Sequence, residues 1–118
     1  MERGWLEREF TAALVDWHRK LTDDEWYFAR VRDRLTESLS SEEAFNAIDE
    51  ALNVMLAQDD EYLWTEAMYL ILSLADRSDT TEMPSALSER WTELMASAAR
   101  FGTYQQARAE ELRRWYRR

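Results

Sequence analysis

Four carboxylates, Glu42, Glu43, Asp49 and Glu66, are the nearest this chain comes to a catalytic set. Acids on facing helices can hold Mg²⁺ for nucleotide hydrolysis, because the ion takes oxygen ligands and helical bundles project them inward. The spacing here does not repeat as E-x-x-E and E-x-x-D, and a solvated acidic face explains the four more simply. Nucleophilic catalysis needs a Ser or Cys beside a base. The chain has no Cys and a single histidine, His18, read as an edge or cap residue. A di-iron site would need Glu-x-x-His on two helices, which one histidine excludes. The two glycines, Gly4 and Gly102, are placed where neither a nucleophile elbow nor a phosphate loop can form. No catalytic residue, metal ligand or cofactor is assigned. Glu66, set among aromatic and aliphatic residues, is the best candidate for a carboxyl with a perturbed pKa. It is equally the kind of residue that anchors a partner's Arg or Lys.

The elements that must position these residues are helices. One proline and two glycines in 118 residues are too few for the turns of an all-β chain. Apolar residues recur at three and four, the period of a helix face. Leu6, Phe10, Leu14, Trp17 and Leu21 make one face of a first helix over about 2–20. A capping box at Thr22–Glu25 opens a second, running to about Ser38. A second box, Ser40–Glu43, opens a third that buries Phe45, Ile48, Leu52, Met55 and Leu56. Asp59, Asp60 and Glu61 place negative charge at the start of a fourth, where it suits the helix dipole. This fourth helix is apolar most of the way round through Leu63, Trp64, Ala67, Leu70, Ile71 and Leu74. That marks it as central. Pro84 suits the first turn of a fifth helix, Gly102 its end, and Thr103–Gln106 a third box before a sixth. The sixth carries Ala107, Leu112 and Trp115 inward. The prediction is a single all-α domain over 1–118, with about six antiparallel helices. They form either a closed bundle or a short HEAT-like stack of hairpins.

Charge is segregated along the chain. Residues 35–76 hold ten acids and no Lys, Arg or His, whereas residues 100–118 are net +4, within a total of −9. The terminal arginines are read as a dipole-compatible helix end and solvated tail. A phosphate backbone would be repelled by the overall charge, so direct nucleic-acid binding is not expected; a basic protein would be attracted. No apolar run approaches the roughly 20 residues that span a bilayer, and the charged N-terminus is not a signal peptide. With no cysteine, the expectation is a soluble cytoplasmic protein.

Two polar stripes are the candidate partner-binding surface. The third helix presents Glu42, Asn46, Asp49, Glu50 and Asn53. The fourth, after Asp59, Asp60 and Glu61, presents Tyr62, Glu66, Tyr69 and Ser73. The two stripes are expected to lie side by side as one docking face, its acids lacking counter-charge. Tyr62 and Tyr69 can alternatively pack under a neighbouring helix with their hydroxyls at the rim.

The segment from Tyr62 onward, WTEAMYLILSLADRSDTTEMPSAL through the closing LRRWYRR, resembles the small helical immunity proteins of bacterial contact-dependent and other polymorphic toxin systems. The resemblance implies a cytoplasmic inhibitor with no activity of its own that binds a cognate toxin. The charge makes a basic nuclease domain the expected partner. A phage-type inhibitor of a nucleic-acid-binding defence complex, using its acids to imitate phosphate, is the close variant. The magnesium-dependent hydrolase is the enzymatic alternative.

Overall fold

The computed structural model describes all 118 residues and contains eight helices and no strand. The helices are α1 (Trp5–Leu14), α2 (Trp17–Asp23), α3 (Tyr27–Thr36), α4 (Ser41–Leu56), α5 (Glu61–Ser78), α6 (Ser85–Glu89), α7 (Trp91–Phe101) and α8 (Thr103–Tyr116). Two of the six expected helices are each split in two, which accounts for the difference.

The first split falls at Val15 and Asp16. Val15 is extended and Asp16 is left-handed at φ 57, a conformation that Asp tolerates better than most residues. The break frees Trp17 from the face of α1. Its ring stacks on Tyr62 at 5.1 Å and 9°, and lies 6.3 Å from Phe28. The expected box at Thr22–Glu25 does not form. Thr22 stays inside α2, its hydroxyl donating to the His18 carbonyl, while Asp24 accepts from the Trp26 N–H. The second split is at Arg90. Pro84 caps the short α6, and α7 restarts at Trp91. The box at Ser40–Glu43 forms in both directions. The one at Thr103–Gln106 does not: Gly102, at φ 139, occupies the cap position, and α8 buries Gln105, Ala109, Leu112 and Tyr116 while Ala107 is exposed.

Three antiparallel hairpins lie side by side. In the first, Glu9 pairs with Arg34 and the Ala13 carbonyl accepts from the Tyr27 hydroxyl, so α1 and α3 run oppositely. The second is α4 and α5, the largest contact in the molecule. The third is α7 and α8, with Arg118 from the end of α8 over the Trp91 ring at the start of α7. The middle hairpin separates the others: α4 touches α1 and α7, while α5 touches α3 and α8. One layer is therefore α1, α4 and α7, and the other α3, α5 and α8. The shortest dimension, 19 Å, is that of two helices each about 10 Å across.

The core runs through the middle hairpin. Ala44, Ala47 and Ala51 on α4 are fully buried and let α5 approach closely, while Ile48, Leu52 and Met55 meet Met68, Ile71 and Leu74. Trp64 is completely buried, its indole N–H donating to Ser97 Oγ at 3.0 Å. As expected for a central helix, α5 is covered on three sides. Asp60 caps it, its carboxylate accepting from the N–H groups of Tyr62 and Leu63. No helix is long and apolar enough to cross a membrane.

Candidate protein-docking surfaces

The two stripes expected to adjoin are separated by the fold. Helices α4 and α5 pack through their apolar faces, so their polar faces point away from each other across the slab. The α4 stripe looks toward α1; the α5 stripe looks toward α3 and α8.

On the α4 side, Asn46, Asp49, Glu50 and Asn53 line a cleft of about 560 Å³ with Glu7, Glu43 and Arg3. Much of its hydrogen-bonding capacity is spent inside the molecule. Glu50, only 8 % exposed, accepts from the Glu7 backbone N–H at 3.1 Å. Glu43 takes the N-terminal amine and the Ser40 N–H. The amine, followed by the Ser40 bond, holds the Glu43 carboxyl down at about 2. Asn53 Oδ1 accepts from Arg90 at 2.9 Å. Asp49 Oδ1 is buried without a hydrogen-bond partner, and Glu42 is exposed at the start of α4.

On the α5 side, Glu66 is not an outward-facing acid. It is 8 % exposed and ion-paired with Arg32 of α3 at 2.6 Å. Burial raises its pKa above the ordinary range, against the opposing pull of Arg32 and of the Tyr62 hydroxyl. A buried carboxylate is tolerated when paired and hydrogen-bonded, so Glu66 reads as the tie between α3 and α5. Tyr69 is half-buried. Its hydroxyl shares a hydrogen bond with Tyr104 of α8, and Arg32 lies over its ring at 5.3 Å. Ser73 is partly exposed and lines a shallow groove with Arg32, Tyr69, Leu72 and Asp76. Tyr62, 39 % exposed, carries Trp17 on its face.

Asp59, Asp60 and Glu61 stay exposed at the α4–α5 link. Arg100 of α7 reaches the link, donating to the Gln58 carbonyl at 3.0 Å, but stays 3.9 Å from Asp59. The expectation of acids without counter-charge is thus corrected for three of the ten. Glu43, Asp59 and Glu66 receive cations from outside the stretch. Glu37, Glu42, Asp49, Glu50, Asp60, Glu61 and Asp76 have none within ion-pair distance. The hydrolase set is likewise dispersed: Glu66 faces α3, on the other side of the slab from Glu42, Glu43 and Asp49, and the acids do not converge into a metal-ligand group.

Sequence reasoning left Trp17 in the core face and did not single out Trp26 or Tyr104, which are 61 % and 49 % exposed. Trp26 was hidden by the expected capping box at Thr22–Glu25, which placed it inside a helix; in the structure that box does not form and Trp26 stands before α3. Tyr104 carried no signal of its own.

Comparison with protein-family models, with curated proteins and with solved structures found no match for this chain.

Proposed function

We propose that the protein is an immunity-type inhibitor: it binds a toxin domain with a basic surface, such as a nuclease with a positive substrate groove, and blocks it by covering that surface. The observation that carries this reading is the set of five exposed acids in 35–76, Glu37, Glu42, Asp60, Glu61 and Asp76, with no cation within ion-pair distance, within a net charge of −9. Such a field speeds encounter with a basic partner and rejects acidic ones. Exposed aromatics beside it supply the area that slows dissociation, since Trp and Tyr are enriched among the residues that dominate binding. The reading takes the protein to act in the cytoplasm, where a nuclease toxin meets its substrate.

A phosphate-imitating inhibitor is supported less well. It would present its acids along one track, and here the stripes are on opposite faces of a 19 Å slab. The hydrolase loses its ligand set to the same separation.

The test begins with affinity capture from the native host at low salt, followed by expression of the recovered partner alone and together with this protein. The expected result is a basic partner that arrests growth alone and is silenced by co-expression. A partner that is harmless, or whose toxicity persists in the presence of this protein, would contradict the proposal.

A further inference from the structure

The links between α1 and α2, α2 and α3, α4 and α5, and α7 and α8 all fall at one end of the slab. The Trp17–Tyr62 stack joins the first two links to the third, and Arg100 on the Gln58 carbonyl joins the third to the last. Three of the five large hydrophobic side chains that the fold leaves exposed are at this end, Val15, Trp26 and Tyr62; Tyr104 turns instead to the α5 face, its hydroxyl on Tyr69 and Arg108 over its ring at 4.7 Å. The same end holds seven carboxylates, from Asp16 to Glu25 and from Asp59 to Glu61, against Arg19, Lys20, Arg30 and Arg100, leaving it net −3. The four cations are largely committed. Arg19 pairs with Asp16, Arg30 with Asp24 at 2.9 Å, Arg100 is the one reaching Asp59, and Lys20 lies over the Tyr27 ring. Glu25, Asp60 and Glu61 remain without a cation.

An exposed tryptophan beside uncommitted acids makes a recognisable receptor. The face of an aromatic ring attracts a cation, most strongly when water is excluded, and a guanidinium can stack as well as pair. The α1/α4 cleft offers less to such a ligand: Glu43, Glu50 and Asn53 already accept from groups within the molecule, whereas of the Glu25, Asp60 and Glu61 carboxylates only that of Asp60 does so, through Oδ1 alone.

The Trp17 ring already carries Tyr62 and, at 3.6 Å, His18. We infer that the link end is the docking site for an arginine-bearing segment of a basic protein, with a guanidinium group seated over Trp26 and its neighbours held by Glu25, Asp60 and Glu61. This rests on the reading that the partner is a basic protein and names where and how it is held.

Deca-arginine and deca-lysine peptides are suitable probes, titrated into ¹⁵N-labelled protein at 150 mM salt. The indole resonance of Trp26 and the backbone amides of 59–62 should move saturably, with deca-arginine binding at least five-fold tighter than deca-lysine. Trp26→Ala and Glu61→Gln change exposed side chains, so their melting temperatures should stay within a degree or two of the parent while deca-arginine affinity falls at least five-fold in the pair. Shifts centred instead on the side-chain amides of Asn46 and Asn53 would overturn the site and leave the basic-partner reading standing. Equal affinity for the two peptides, or affinity unchanged in the double variant, would overturn the stacking mechanism. No saturable shift anywhere would overturn the site and count against the basic partner as well.

Discussion

Arg32 and Glu66 show how far one residue's role can move between sequence and structure. The apolar flanks of Glu66 marked it as a candidate for a perturbed pKa, and burial moves that pKa upward. That the compensating guanidinium comes from α3 was not legible, since Arg32 lies 34 residues away and nothing local distinguishes it from the other arginines. Arg32→Met should cost about 1–3 kcal/mol, less than a fully buried pair because Arg32 is a quarter exposed, and Arg32→Met with Glu66→Met should recover part of that loss in urea denaturation. The Glu66 carboxyl binds its proton more tightly folded than unfolded. Stability linked to it therefore falls as pH rises from 4.5 through the raised folded value, and Glu66→Gln should flatten that decline. Glu43 behaves oppositely. Held at about 2 by the N-terminal amine, it contributes stability that is present above 4.5 and lost as pH falls toward 2, and Glu43→Gln should remove that acid-side loss. Tyr116 is buried with its hydroxyl unpartnered, and burial pushes its pKa up to about 12. Tyr116→Phe removes an unsatisfied polar group, so it should be neutral or stabilising by up to about 1 kcal/mol in thermal or urea unfolding.

Among the elements, the starts of α4 and α5 were legible because capping chemistry and apolar period agreed, but their faces were less so: Phe45, expected in the core, is only partly buried, and Glu50 and Glu66, expected outward, are 8 % exposed. The box at Ser40–Glu43 and the Asp60 cap both form where the residue types placed them. Where period and capping signals were the only guides, tertiary packing overrode them. The face Leu6, Phe10, Leu14 continues in sequence through Trp17, yet the chain turns at Asp16 because Trp17 gains a stacking partner on α5. Thr103 carries the right spacing for a box, but Gly102 provides the turn and Gln105 is drawn inward to bond Thr65 Oγ1 at 3.2 Å. The contrast is measurable. Ser40→Ala should lower stability by about 0.5–2 kcal/mol through the lost cap, whereas Thr103→Ala should stay within about 0.5 kcal/mol of the parent. Equal losses at the two positions would show that the assignment of caps is wrong.

At the scale of the molecule, the all-α class and the segregation of charge were readable, and the arrangement of faces was not. Periodicity tells which residues share one side of one helix. It does not tell which way that side turns once helices pack, and here the packing of α4 on α5 sends their polar stripes to opposite sides of the slab. What the fold gathers instead, at the link end, is apolar surface from three separate links beside acids that no cation answers. Asp60 both caps α5 and belongs to that end, so Asp60→Asn, which can keep the cap while losing the charge, separates the two roles. The most direct measurement is the association rate with the recovered basic partner as a function of salt, for the parent and for Glu25→Gln, Asp60→Asn, Glu61→Gln combined. Steering by these acids predicts an association rate that falls steeply with ionic strength in the parent, and a slower, flatter dependence in the triple variant at unchanged melting temperature. Identical rates and identical salt dependence in the two proteins would contradict it.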